Sequence, residues 1–286
     1  MVDSEKSGSI IAIVIDSTKF AGNPLKKIMS TRPNRRQIFL LSGMPRAGTA
    51  WVFEILSAIT VASGGVDGRD IRTKYKLEKY LTPGNTVVRL LLPDLLFVLY
   101  PWLRGESFAV KTHDSPRSYK YRIVSQWLLK LLIAAKVIIP IYIYRDPRDA
   151  VLSAYEFGKR KPDALGGSFF VKRVPNIETG IVWMKNYLDH NWDAWVSRQD
   201  MLVIRYEDMI ANYDEYVHRI IKYLGLDFSP EVTAEILERF RRGETLQGTH
   251  FFKGVAGRFH EGFSPEQLEQ ANQAFGGYLE KMGYER

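Results

Sequence analysis

The 286-residue chain contains no cysteine. That excludes a disulfide framework, a thiol nucleophile and any zinc site built on thiolates, and it leaves oxygen, nitrogen or a bound cofactor to carry the chemistry. Histidine is sparse, with only His113, His190, His218, His250 and His260. Long apolar runs are missing as well. The two greasiest windows, 87–103 and 127–144, are broken by Arg89, Pro93, Asp94 and Pro101 in the first and by Lys130, Lys136 and Pro140 in the second. Neither supplies the ~20 apolar residues that cross a bilayer, so both are expected to be buried helices and strands. The short run Ile10 to Ile15 follows acidic residues and lacks the charged, apolar, small-residue order of a signal peptide. The expectation is a soluble, cytoplasmic protein without an integral membrane segment.

What is present is a composition able to fill a core, 45% hydrophobic and 13% aromatic, in a chain long enough for one large α/β domain. The net charge of +8 is unevenly placed. Residues 1–200 carry 30 basic and 18 acidic side chains, a net +12, whereas residues 201–286 carry 10 and 14, a net −4. A field of that sign attracts phosphate, sulfate, nucleic acid or an anionic membrane.

Four apolar runs rich in β-branched or aromatic residues end in polar or glycine-containing turns: 37–43 (QIFLLSG), 107–113 (SFAVKTH), 136–145 (KVIIPIYIYR) and 201–208 (MLVIRYED). They read as buried parallel strands. Helical stretches lie between them, TAWVFEILSAI, DPRDAVLSAYEF and IVWMKNYLDHNWDAWV. The alternation predicts an α/β fold, a single domain with a central parallel sheet flanked by helices. Residues 1–36 read as an N-terminal extension or a first strand, the strand falling on the apolar run Ile10 to Ile15, and 37–286 as the domain. The stretch 158–173, with five basic residues, one acid and a Gly-Gly pair, reads as a mobile cationic surface loop.

In such sheets ligands bind beyond the C-terminal ends of the strands. After the first strand, Gly43 to Gly48 has the Gly-x4-Gly frame of a phosphate loop opening a helix, where glycines let successive N–H groups face one anion. Thr49 replaces the phosphate-binding lysine of a nucleoside triphosphatase and Ala50 its magnesium-holding hydroxyl, which disfavours a metal-dependent kinase or ATPase. The cation lies inside the loop, at Arg46. The third strand ends in Arg145, with Pro147 suited to a first helical turn and Ser153 about two turns on; this pair suits a second phosphate, although Arg145, Asp146, Arg148 and Asp149 read equally as a self-paired surface set. The second strand ends in Lys111-Thr112-His113, and a neutral imidazole at a strand tip is a natural proton acceptor.

Taken in order, PRAGTAW, KTH, RDPRDAVLS, RYEDM and FKGVAGRF resemble the motifs of the sulfotransferases that use 3′-phosphoadenosine 5′-phosphosulfate (PAPS), over Gln37 to the C-terminus. The resemblance implies the phosphate-loop-like sulfotransferase fold, a metal-independent reaction and the product 3′-phosphoadenosine 5′-phosphate (PAP). It implies that Arg46, Ala47, Gly48, Thr49 and Ala50 cradle the 5′-phosphosulfate, that Trp51 stacks on adenine with Tyr206 beside it, and that Arg145 and Ser153 hold the 3′-phosphate. Phe252, Lys253 and Gly254 match a late loop closing on that phosphate. His113 matches the general base, with Lys111 and Arg46 as the cations at the transferring group. Gly180, Trp183, His190, Trp192 and Trp195 resemble a helix of the family and also read as an aromatic core helix.

Departures from the pattern are Arg46 for lysine, Ala47 and Ala50 for hydroxyl residues, and Phe252 where an arginine often stands. Each missing hydroxyl removes a phosphate hydrogen bond worth about 0.5–3 kcal/mol, leaving backbone donors to compensate. The short dimerisation motif of many cytosolic members is absent, so no oligomeric state is inferred. The acceptor is expected to be a small molecule bearing a hydroxyl or amine, with a carbohydrate or glycolipid as the alternative. Tyr75, Tyr80, Trp102, Phe169 and Phe170 suit an apolar acceptor pocket, and Lys159, Arg160, Lys172 and Arg173 an anionic acceptor. A basic protein that binds nucleic acid or membrane is the reading from another class; no nucleic-acid motif supports it.

Overall fold

The computed structural model describes residues 36–83, 86–116, 122–163, 167–241 and 255–286. The run Ile10 to Ile15 and the basic residues before Arg36 lie outside the described residues. In chain order the elements are β1 (Ile38–Gly43), α1 (Thr49–Ala62), α2 (Gly68–Lys74), α3 (Leu92–Leu103), β2 (Phe108–Thr112), α4 (Arg122–Ala134), β3 (Ile138–Tyr144) and α5 (Pro147–Arg160). They continue with α6 (Gly167–Arg173), α7 (Ile177–Val196), β4 (Leu202–Arg205), α8 (Tyr206–Ala211), α9 (Tyr213–Tyr223), α10 (Pro230–Phe240), α11 (Phe259–Gly262) and α12 (Pro265–Met282).

The four apolar runs are the four strands, all parallel, in the order β2-β1-β3-β4. Alternation along β1 sends its side chains to two cores. Ile38 and Leu40 meet α3, α4, α5, α7 and α12 on one face. Phe39 and Leu41 meet α1, α8, α9 and α10 on the other. Because both faces are covered, the strands are apolar throughout rather than alternating with polar residues. In register, Ser42 pairs with Thr112 and with Tyr142, and Tyr144 pairs with Arg205, so all four strands finish at one end of the sheet. The order reverses at β1, and the crevice expected at such a switch lies between the ends of β1 and β3.

Local chemistry fixes where the helices begin. Asp146 accepts from Arg148 N and Pro147 occupies the first turn of α5, so β3 passes into that helix within two residues. Asn176 caps α7, and Ser264 with Gln267 forms a reciprocal capping box on α12.

Two expectations are corrected. The described residues of 158–173 are mostly helical rather than a loop: α5 continues to Arg160 and α6 occupies 167–173. Phe170 packs edge-on against Phe157 and Trp183, and Lys172 and Arg173 sit in the last turn of α6, where cations complement the helix dipole. The greasy windows are only half buried, because α3 and α4 turn large apolar side chains outward as well as inward. Among the described residues no helix is long and apolar enough to cross a membrane.

Ile141 is fully buried at the middle of the sheet, between Leu41 and Leu202. Ile141→Ala should cost about 2–5 kcal/mol through lost burial and the cavity left behind, read as a lowered urea midpoint with an unchanged denaturant slope. A smaller loss would show that the sheet centre relaxes around the cavity.

Candidate active site

The turn after β1 is shaped by two glycines. A Cβ on Gly43 would fall 2.7 Å from Ile143 side-chain and carbonyl atoms, so only glycine lets β1 run this close to β3 at its end. Gly48 has φ 86°, and a Cβ there would meet the Tyr206 ring at 2.7 Å. Arg46 also takes a left-handed φ, 66°, which costs a non-glycine residue energy and is held here by its contacts. Met44 N donates to Ile143 O and Ala47 N to Met44 O. Gly48 stands at the N-cap of α1 with no side-chain cap and no acid in the first turn. The N–H groups of Gly48, Thr49 and Ala50 find no acceptor among the described residues, which leaves the positive end of a helix dipole open to an anion.

Three cations converge on this end of the sheet. The Arg46 guanidinium lies 4.3 Å from the centre of the Phe157 ring, and its Nε donates to Ser153 Oγ at 3.2 Å. Burial, with repulsion from Arg160 and Arg145, lowers its pKa to about 10, so it stays charged at neutral pH. Lys111 is buried on β2 opposite Leu41, and burial followed by repulsion from Arg46 lowers its pKa to about 8, with Glu54 opposing. Arg145, buried at the end of β3, donates to Asp149 Oδ2 and to Val255 O and packs over the Tyr206 ring at 4.6 Å. Its Nε is buried without a hydrogen-bond partner among the described residues.

His113 follows directly on β2. Its Nδ1 is 2.9 Å from the carbonyl oxygen of Gly43. A carbonyl only accepts, so Nδ1 carries the hydrogen and Nε2 is left as the basic nitrogen. Burial, then Lys111, lowers the His113 pKa to about 3, which keeps the imidazole neutral. The same carbonyl accepts from Tyr187 Oη at 3.0 Å.

The structure therefore gathers Arg46, Gly48, Lys111, His113, Arg145, Ser153 and Tyr206 at the strand ends. It brings Ser153 to Arg46 rather than to Arg145. Ala47 and Thr49 are buried under the loop. Trp51 points into the core, its Nε1 donating to Phe240 O and its ring stacked 5.5 Å from Tyr213. Phe252, Lys253 and Gly254 lie outside the described residues. The charges of the RDPRD stretch do pair with one another, Arg145 with Asp149 and Arg148 with Asp146, but they are buried rather than on the surface. Asp149 does more than pair, since it also accepts from Gly257 N and Phe259 N and so ties the segment after residue 254 to Arg145. Tyr187, Phe157 and Asp149 carried no sequence signal of these roles. The aromatic candidates for an acceptor pocket divide into two groups: Tyr75 and Tyr80 pack on α3, whereas Phe169 and Phe170 gather around Trp183.

A family model described as a sulfotransferase domain matches residues 36–284. The chain belongs to the sulfotransferase family. As a sulfotransferase it is an enzyme that transfers sulfate. It is 23% identical over 253 residues to sulfotransferase 6B1 of Danio rerio, covering 84% of this chain and 78% of that one. It is 28% identical to sulfotransferase 1A1 of Mus musculus, covering 76% and 71%. A crystal structure of retinol dehydratase with retinol and PAP superposes with a TM-score of 0.53 at 19% identity, over 89% of this chain and 84% of that one, which shows a shared fold. The buried cation Lys111 carries a cost that titration exposes.

Folding lowers the Lys111 pKa from its ordinary 10.5 to about 8, so at pH 7 the folded protein keeps the charge at a cost the unfolded chain does not bear. From about pH 8 to 10.5 the unfolded chain retains a proton that the folded one has released, and stability rises with pH across that window by up to about 1.4 kcal/mol per unit. Lys111→Met should be more stable than the parent at pH 7, and the difference should shrink by about pH 9.5. Urea midpoints of both proteins at the two pH values measure it, and a difference independent of pH would contradict the assignment.

Proposed function

We propose that the enzyme transfers the sulfuryl group of PAPS to a hydroxyl or amine of a small-molecule acceptor, with His113 as the general base. The observation that carries this reading is the neutral His113, its Nδ1 committed to Gly43 O, at the sheet end that also bears Lys111 and the open N-terminus of α1.

The residues fit a co-substrate with two separated anionic groups. One set is Arg46, Lys111 and the N–H groups of Gly48, Thr49 and Ala50; the other is Arg145, and these N–H groups and the buried Arg145 Nε lack a partner among the described residues. Backbone donors thus stand where Ala47 and Ala50 supply no hydroxyl. In the reaction, the acceptor oxygen or nitrogen forms a bond to sulfur as the bond from sulfur to the 5′-phosphate oxygen breaks, and PAP departs. Nε2 of His113 takes the proton the acceptor loses. Arg46 and Lys111 offset the charge that develops on the transferring group and on the departing phosphate. Gly43 O orients the imidazole, and Tyr187 shares that carbonyl and fixes its position.

Incubation with PAPS and a panel of phenols, alcohols and amines tests the reading. His113→Ala should lower turnover by about 10²–10⁴-fold, the usual worth of a positioned base, and near-normal turnover would remove His113 from that role. The pH profile of kcat/KM should fall above about pH 8 as Lys111 loses its proton. Lys111→Arg, which stays charged, should shift that fall to higher pH; an unmoved limb would exclude Lys111 as its source. PAP should raise the melting temperature more than AMP does, through the extra phosphate on Arg145, and Arg145→Ala should erase the difference.

A further inference from the structure

Helices α3 and α4 pack beside each other on the face of the sheet that carries Ile38 and Leu40. Each has an inward face, Leu95 and Val98 on one and Leu129 and Ile133 on the other. Each also has an outward apolar stripe that stays largely exposed, although Tyr100 meets Tyr75 edge-on. On α3 it is Leu96, Tyr100 and Leu103, exposed by 53%, 51% and 65%; on α4 it is Ile123, Trp127 and Leu131, exposed by 70%, 68% and 65%. Spacings of three and four residues put each set on one helical face. Scattered exposed apolar residues are ordinary, but two neighbouring stripes of large ones mark a docking surface.

The charges around them select the partner. From Ser115 to Tyr144 the chain has no Asp or Glu and five Lys or Arg. Lys130 and Lys136 are exposed, and the Lys130 ammonium lies 5.5 Å from the Trp127 ring centre, beside the stripe. On the α3 side the carboxylates are already neutralised: Asp94 is buried against Arg89, and Glu106 pairs with Lys74. Two amphipathic helices with apolar stripes, a Trp and a Tyr, and unopposed cations have the chemistry of an interfacial membrane anchor. At 12 and 13 residues they are too short to span a bilayer, which needs ~20. A second copy docking face to face would bring two sets of these cations into one interface.

We propose that the α3–α4 flank docks this protein on an anionic phospholipid surface, with the two helices lying in the plane of the interface. Both helices start at the sheet end that carries His113, since α4 follows β2 and Leu90 N, just before α3, donates to Asp114 Oδ2. Docking there brings the site's rim to the lipid.

Flotation of the full chain with phosphatidylcholine vesicles containing about 30% phosphatidylserine, and with pure phosphatidylcholine vesicles, tests this. The protein should float with the anionic vesicles and much less with the neutral ones, and high salt should weaken the binding. Trp127→Ser combined with Leu131→Ser should reduce binding at least about tenfold, with circular dichroism and melting temperature unchanged because both positions are exposed; Leu103→Ser on α3 gives an independent check should the pair perturb folding. Failure of the parent to float with anionic vesicles would overturn the proposal. So would undiminished flotation of folded variants, or a sedimentation-velocity dimer that these substitutions dissolve.

Discussion

The end of β1 is the fixed point on which the site depends. The strand is paired on both edges and buried on both faces, so its last residue, Gly43, has nowhere to move. Its carbonyl holds His113 and Tyr187, and its amide side opens into the loop whose N–H groups face outward at Gly48. A packed interior has little compressibility, and a side chain referenced to its central strand inherits that rigidity. The imidazole is thereby held in one tautomer by backbone geometry rather than by a carboxylate; burial and Lys111 lower its basicity, and the hydrogen bond to Gly43 opposes them.

The cations are the expensive part of the arrangement. Arg46 repels both Lys111 and Arg145 in a buried region, and the protein contains the cost with soft partners. Aromatic rings lie against the two guanidiniums, a hydroxyl accepts from Arg46, and one carboxylate, Asp149, accepts from Arg145. None of these neutralises the set. The excess field is what a multiply charged anion would find attractive; with Asp149 pairing Arg145, it accounts for two of the surplus positive charges in the first 200 residues.

The strands and the position of the loop were legible in the sequence because a parallel sheet buried on both sides leaves continuous apolar runs, and because glycine spacing is forced where β1 approaches β3. The pairing partners were less legible. Ser153 meets Arg46 because α5 turns it toward the loop, and no spacing rule conveys that turn. Tyr187 is one aromatic residue on a helix full of them. Residues 158–173 read as a loop because charge and glycine dominate the composition, whereas Phe169 and Phe170 fold the segment onto Phe157 and Trp183. The windows at α3 and α4 showed their apolar content but not its direction, since a stripe facing the core and one facing water have the same average.

The two hydrogen bonds on the Gly43 carbonyl come from residues 70 and 144 positions away in the chain. Contacts of that separation close late, after much of the chain has lost its freedom, and a topology made of them folds slowly. An intermediate in which β1 has not yet received β2 and α7 holds neither the base nor the orientation of the loop. The site is thus an all-or-none property of the completed sheet. A ligand that recognises it binds only the finished molecule, drawing the folding equilibrium forward without guiding the steps that lead there.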